Sequence, residues 1–348
     1  MEEIEKRNLG KTSAAVSKLG FGSGGLGELS QRISEDEAQR VLQAAWDGGV
    51  RYFDTSPFYG CGKSEHRVGH FLRQQPRSEF VISTKVGRVF KAPRDPEAFD
   101  GSFRLGEQKF YWKGGLPFEF EYDYTYDGIM RSYEDSLQRL GLPSVDLLLI
   151  HDLDFLFHQT EARVNAYLEQ LSTSGWRALS ELRSNGQIRG VGAGINELGM
   201  IPRFLDVVDL DFFLVALSYN LLDLSSLDEE FPLCRERNVG IVSGAVYASG
   251  ILATGPVEGA VYNYAPASEE ILEKTRRMEA VCQHHSTPLA AAALQFPLAH
   301  PLVAAIVPGA IAPGQVEENI QRFRHPIPAA LWSELKGEGL LPEDAPTP

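Results

Sequence analysis

Short apolar runs alternate with segments of helical periodicity about eight times along the 348 residues, and this alternation limits the possible folds more than any other feature. Leu19–Gly22, Val50–Asp54, Phe80–Lys85, Val145–Ile150, Ile188–Gly192, Phe212–Leu217, Gly240–Ser243 and Ala304–Val307 read as strands. Helical patterns separate them. Ser34 with Glu37 makes a capping box before Ala38, Val41, Leu42 and Ala45, and Gly48-Gly49 ends that helix. A helix starts near Ser64, and Asp127 is expected to cap another that carries Ile129, Met130, Tyr133, Leu137 and Leu140 on one face. Further helices are expected over 161–184 and 268–284, with the last starting near Gln315. Strictly alternating units make a parallel sheet, because each helix carries the chain back across the sheet face. Val145–Ile150 is apolar but for Asp146 near its start, as is typical of a strand covered on both faces.

Eight such units fit a closed (β/α)8 barrel better than an open sheet, so the expectation is an α/β TIM barrel formed by residues 1–348 as one domain. Residues 1–18 contain a Gly10-Lys11 turn and are expected to form a hairpin closing the barrel bottom. Residues 88–125 are too long for an ordinary connection and are rich in aromatic residues, among them Phe103, Phe110, Trp112 and Tyr124. This stretch is read either as a loop packed on itself or as a lid over the strand ends. The tail, 342–348, is expected to be loose.

The formal charge of −14 sets a surface that repels phosphate backbones and anionic lipid, so neither nucleic acid nor membrane is an expected partner. No apolar run approaches the ~18 residues of a spanning helix, and the charged N-terminus is not a signal peptide. The expected location is the cytoplasm. Cys61, Cys234 and Cys282 are far apart and show no metal-ligand spacing, so no metal is expected and reduced thiols are the simple reading. Oligomeric state is not readable from these residues.

Gly22-Ser23-Gly24-Gly25-Leu26-Gly27 matches G-x-G-x-x-G after a strand. A dinucleotide fold is nevertheless disfavoured. The motif should open a helix directly, whereas the capping signal comes at Ser34, and Asp54 lies further on than the ~20 residues of an acidic ribose ligand.

Four polar residues stand at successive strand ends: Asp54 and, just beyond it, Tyr59 after the second strand, Lys85 at the end of the third, and His151 after the fourth. In a barrel these ends share the face where active sites lie. A phenol with a reference pKa of ~10 is a poor acid near neutrality, and a neighbouring ammonium lowers that value. Lys85 is expected to do this for Tyr59, Asp54 to hold Lys85, and His151 to orient an oxygen. The set suits proton exchange with an alcohol oxygen while a hydride moves at carbon.

Tyr52-Phe53-Asp54-Thr55-Ser56-Pro57-Phe58-Tyr59-Gly60, Ser83-Thr84-Lys85, Ile150-His151 and Gly190-Val191-Gly192 together resemble the aldo-keto reductase family. The likeness runs over nearly the whole chain. It is nearest to the branch of aldose 1-dehydrogenases, L-fucose and L-galactose dehydrogenases and pyridoxal 4-dehydrogenase. The resemblance implies a (β/α)8 barrel, a nicotinamide cofactor at the strand ends, and Asp54, Tyr59, Lys85 and His151 as catalytic tetrad. It also places Ala245, Tyr247, Gly250, Gly309, Gln315, Glu318 and Asn319 against the cofactor.

The chain departs from the family pattern in three places. Residues that hold the carboxamide elsewhere are replaced by Gly194-Ile195 and Ala216, leaving Asn196 and Ser218 as candidates. An aromatic that stacks on the nicotinamide is replaced by Gly244. Cations that meet the 2′-phosphate of NADP are replaced by Gly309 and Gln315. Each charge-assisted bond lost is worth ~1.5–3 kcal/mol, tenfold or more in affinity, so NAD is expected over NADP.

The branch implies oxidation of a cyclic hemiacetal to a lactone with Tyr59 as base. An aldose such as L-fucose, D-arabinose or another D-threo-aldose is the first expected substrate, and pyridoxal, giving 4-pyridoxolactone, the second. Phe58 and Trp112 are expected to stack on the substrate. Asp152 is expected either to bind a hydroxyl or to be a solvated loop carboxylate. The alternatives are a general aldehyde or ketone reductase, and a cofactor-sensing binding subunit like the potassium-channel β subunits.

Overall fold

The computed structural model describes residues 3–29, 31–106 and 108–348. Eight parallel strands form its centre: β1 (Phe21–Gly22), β2 (Tyr52–Asp54), β3 (Val81–Val86), β4 (Leu147–His151), β5 (Gly190–Ile195), β6 (Phe212–Val215), β7 (Gly240–Ser243) and β8 (Val303–Ile306). Each lies beside its sequence neighbour. Parallel bridges Leu19 to Ile306 and Gly22 to Gly309 bring the first strand to the last and close the barrel.

Side-chain alternation along the strands builds two apolar layers. Leu147 and Leu149 pack inward with Tyr52, Val81, Phe212, Leu214 and Val242. Leu148 and Ile150 pack outward with Phe53, Ile82, Val191 and Phe213 beneath the helices. Lys6–Asn8 pairs antiparallel with Ala15–Ser17, and Leu9, Ala14 and Val16 join the inner layer, so this hairpin plugs the barrel bottom. Residues 1 and 2 of the region expected there lie outside the described residues.

Several expectations from the sequence are corrected. The helix Tyr126–Leu140 is capped by Thr125, whose hydroxyl accepts from Gly128 N–H, and Asp127 sits within its first turn. The helix over 161–184 is continuous but widens at Leu171–Gly175. There Ser172 and Thr173 hydroxyls both donate to the Glu169 carbonyl, and Gly175 lies so close to Tyr124 that a Cβ would stand 2.0 Å from its carbonyl oxygen. A further helix, Ala329–Gly337, follows Pro313–Arg324 and buries Leu331, Trp332 and Leu335. The tail is tethered: Ala345 is buried, and Lys336 Nζ donates to the Glu343 carbonyl.

Residues 88–125 hold four short strands rather than an unbroken loop. Gly87, at φ +104°, turns the chain out of β3. Arg88–Lys91 then pairs antiparallel with Glu119–Tyr122, and Ser102–Leu105 with Gln108–Tyr111. These two ribbons fold over the strand ends and place Phe103 and Trp112 against Phe58. Among the described residues no helix is long and apolar enough to cross a membrane.

Candidate active site

The glycine-rich stretch after β1 is a short 3-10 helix, Ser23–Gly27, rather than a phosphate loop. It seats the loop that carries Tyr59. A Cβ on Gly27 would stand 2.5 Å from the Tyr59 carbonyl carbon, so only glycine lets the two backbones meet. Ser23 Oγ donates to the Asp54 carbonyl and accepts from Ser64 Oγ, which ties β1, β2 and the next helix together beneath the site.

Asp54 and Lys85 are almost fully buried and paired, with Nζ 2.7 Å from Asp54 Oδ2 and 2.8 Å from the Thr55 carbonyl. Ser83 Oγ donates to the other carboxylate oxygen at 2.7 Å. The ammonium lies 4.8 Å from the centre of the Tyr59 ring. It pairs with Asp54, and the net effect on the phenol is the opposite of the lowering the sequence suggested. Burial, then the charges of Asp54 and Asp152, push Tyr59 well above the ordinary phenol range. Tyr59 is therefore a neutral phenol in the cofactor-free pocket.

His151 is pushed well below its ordinary value by burial and by the charges of Arg88 and Lys85. It is neutral near pH 7. Nδ1 lies 3.0 Å from Ser56 Oγ, which also accepts from Phe58 N–H, and Nε2 lies 3.2 Å from Asp152 Oδ2. The pattern that satisfies every partner has the Ser56 hydroxyl donating to Nδ1 and an Nε2–H donating outward.

Asp152 is buried, so the reading of it as a solvated carboxylate does not hold. Arg88 Nη2 donates to its Oδ2 at 2.9 Å and Asn196 Nδ2 to its Oδ1 at 3.0 Å. Arg88, the first residue of the outer ribbon, stands over the rings of Phe58, Phe120, Tyr122 and Phe157 at 4.2–5.5 Å. A buried guanidinium looks like any other arginine in sequence, and no local pattern marks it. Asn196 Nδ2 also donates to Asp154 Oδ2, so its amide nitrogen is engaged by two carboxylates. Asp154, buried beside Asp152, is pushed up to about 7.

Tyr59, Lys85, His151, Asp152 and Asn196 all open on one cavity of about 680 Å³, mouth included. Its remaining walls are largely aromatic: Phe58, Phe103, Phe110, Trp112, Phe157 and Tyr264. Phe58 and Trp112 stand edge to face at 5.3 Å, and Phe103 stacks on Trp112 at 5.4 Å. Tyr264 was not foreseen. It reaches the cavity from the excursion after β7, and the signal for it was an Asn-Tyr pair flanked by residues able to form a short hairpin.

Cys61, near the site, is buried and pushed up to about 11, which leaves a thiol rather than a thiolate. Ser218 does not line this cavity. It bonds Ser226 Oγ at 2.6 Å and borders a neighbouring polar chamber.

The ends of β7 and β8 form an open cradle. Ala245, Ala248, Ser249 and Gly250 all have positive φ. A Cβ on Gly250 or Gly314 would meet no heavy atom within 4 Å, and one on Gly309 would meet only the Gly22 carbonyl oxygen. Tyr247 donates to Asn319 Oδ1 at 2.7 Å. Exposed backbone, a phenol and an amide suit an extended dinucleotide, and the residues fit that group. Gln315 caps the turn by accepting from Ile311 N–H. Glu318 holds Arg322 at 2.9 Å, and the guanidinium also faces the Tyr247 ring.

Comparison with known proteins agrees with this geometry. The chain is 42% identical to pyridoxal 4-dehydrogenase of Microbacterium luteolum, covering 98% of this chain and 99% of that protein. It is 38% identical to D-threo-aldose 1-dehydrogenase of a Pseudomonas species, covering 94% and 95%. An aldo-keto reductase from Bacillus halodurans, solved in its holo form, superposes with a TM-score of 0.72 at 26% identity over 96% of both chains. The aldo/keto reductase family model matches residues 18–337, and the chain belongs to that family of oxidoreductases.

Proposed function

We propose that the protein oxidises a cyclic hemiacetal to a lactone, using NAD. The observation that carries this reading is the convergence of a neutral phenol, the Lys85–Asp54 pair and a neutral His151 on one aromatic-walled cavity at the strand ends. His151 Nε2–H donates to the hemiacetal oxygen and fixes which face of the carbon meets the cofactor. Tyr59, having first given its own proton to solvent, takes the hydroxyl proton as a phenolate while the C–H bond breaks and the carbonyl forms. Oxidised nicotinamide, when bound, would supply the hydride acceptor and a positive charge. Such a charge would oppose the burial that holds the proton on Tyr59. Aromatic walls exclude water, which keeps the charge interactions strong and guards the product ester.

The proposed order of substrates is the reverse of the one drawn from the sequence, with pyridoxal first. Rings on several sides favour a flat heteroaromatic hemiacetal such as that of pyridoxal, and the 42% identity to a pyridoxal 4-dehydrogenase supports the same choice. An aldose comes second, supported by the 38% relative. NAD preference is supported by Arg322, which is engaged by Glu318 and Tyr247.

Product analysis tests the reading. Incubation with pyridoxal or L-fucose and NAD should yield the corresponding lactone, with one NADH per lactone. NADH formation with an open-chain acid as the first product would overturn it.

A further inference from the structure

The excursion after β7 ends in a tight hairpin that the mechanism above does not use. Val261–Tyr262 pairs antiparallel with Ala265–Pro266, and the two residues between them have φ of +48° (Asn263) and +65° (Tyr264). Two positive φ values in a two-residue turn define the mirror-image type whose second position strongly favours glycine. A tyrosine there is strained, and strain of this kind persists where function selects it. The turn is held in place: Tyr264 N–H donates to Ser249 Oγ at 3.1 Å, from a residue itself at φ +62°.

The strained tip meets the substrate side of the site. Tyr264 lines the aromatic cavity and also the polar chamber beside it, so its ring forms part of the wall between the two. Its hydroxyl has no hydrogen-bond partner among the described residues. Burial pushes the phenol up, and Tyr59, Asp152 and Asp154 are near enough to add to the effect. Asn263 borders the polar chamber, and its Oδ1 is buried with no partner. The tip thus carries one unbonded hydroxyl on the wall between the two chambers, at Tyr264, and one buried amide oxygen without a partner behind it, at Asn263. A buried polar atom is rarely left so, which marks this tip as a place where the fold gives up stability.

We propose that the Asn263–Tyr264 tip is a specificity-determining element that hydrogen-bonds polar substituents of the substrate remote from its reacting carbon. The proposal rests on the hemiacetal reading and adds to it the part of the molecule that selects the substrate. Tyr264 donates or accepts one bond in the aromatic cavity. The preferred substrate then carries at least one hydroxyl or ring nitrogen beyond its hemiacetal group.

The test compares two hemiacetals with the same reacting centre. Pyridoxal, or L-fucose if that is the one turned over, carries remote polar groups. 2-(Hydroxymethyl)benzaldehyde forms a cyclic hemiacetal with none. Tyr264→Phe keeps the ring and the strained turn and removes only the hydroxyl. It should raise KM for the polar substrate about three- to tenfold, the worth of one neutral hydrogen bond, with kcat within twofold. KM for the benzaldehyde should stay within twofold. Tyr264→Gly removes both ring and strain, so its Tm should hold or rise by about 2 °C while selectivity for the polar substrate is lost. A Tyr264→Phe variant that affects both substrates equally, or neither, overturns the proposal. So does a fall of several degrees in Tyr264→Gly, because the ring would then serve the fold. Silence of the wild-type protein on every one of these substrates refutes the hemiacetal reading itself and this proposal with it.

Discussion

Replacing Asp54 by Asn tests the centre of the site without changing its shape. Asp54 and Lys85 are 2% and 1% exposed, and their charges meet at 2.7 Å. The amide keeps the volume and can still accept from Ser83 Oγ, but it leaves the ammonium with only the Thr55 carbonyl. Removing one partner of a buried pair costs about 3–5 kcal/mol, because the remaining charge stays desolvated and unmatched. With an unfolding entropy of about 2.1 cal/mol/K per residue over 348 residues, that becomes a fall in Tm of about 4–7 °C. Differential scanning calorimetry reads it directly. The double variant Asp54→Leu/Lys85→Met removes both charges and should recover most of the loss, since apolar replacement of a buried pair is often neutral. Asp54→Asn within 1 °C of wild type, or a double variant less stable than Asp54→Asn, would refute the reasoning.

Other predictions follow from the same geometry. Because Tyr59 is held above the ordinary phenol range, a step that needs it deprotonated gains with rising pH, while a step that uses it as an acid does not. Initial rates of lactone formation should therefore climb from pH 6 to 9 and the reverse, carbonyl-reducing rate should not. An oxidation rate falling over that range contradicts this. His151 is neutral throughout, so neither profile should show an inflection near 6.5 that His151→Asn abolishes. Glu318→Gln releases Arg322 toward the cofactor's adenine end, and should raise kcat/KM with NADP relative to NAD by about tenfold. An unchanged ratio would place the discrimination elsewhere. Cys61, buried with a thiol pushed up to about 11, should react with a thiol reagent at pH 8 at least tenfold more slowly in the folded protein than in the urea-unfolded chain, and burst labelling of Cys61 in the folded protein would contradict its buried placement.

The parts of this fold that were legible in the sequence are those set by short-range pattern. Strand ends at Asp54, Lys85 and His151 are marked by apolar runs that stop at a polar residue, and the barrel then brings them together without further information. Long-range pairing was not legible. Ribbon strands Arg88–Lys91 and Glu119–Tyr122 are four residues each and lie far apart in the chain, so nothing local distinguishes them from loop. The helix Ala329–Gly337 lay beyond the last one expected from the sequence, and Pro328 sits at its N-cap. Arg88 escaped for a different reason. Its role depends on the four rings and the carboxylate around it, which come from Phe58, Phe120, Tyr122, Asp152 and Phe157 on separate segments. The phenol of Tyr59 stands above its ordinary range because burial and the charges of Asp54 and Asp152 outweigh the lowering by Arg88, a balance that no local pattern carries.

The most direct test of the account is the initial rate of NADH formation across pyridoxal, L-fucose, D-arabinose and L-galactose, run with wild type and Tyr59→Phe in parallel. The account predicts a clear rate with at least one of these hemiacetals, and loss of that rate by a factor of a hundred or more in the variant. Full activity in Tyr59→Phe, or no NADH from any of the four with the wild-type protein, would contradict it.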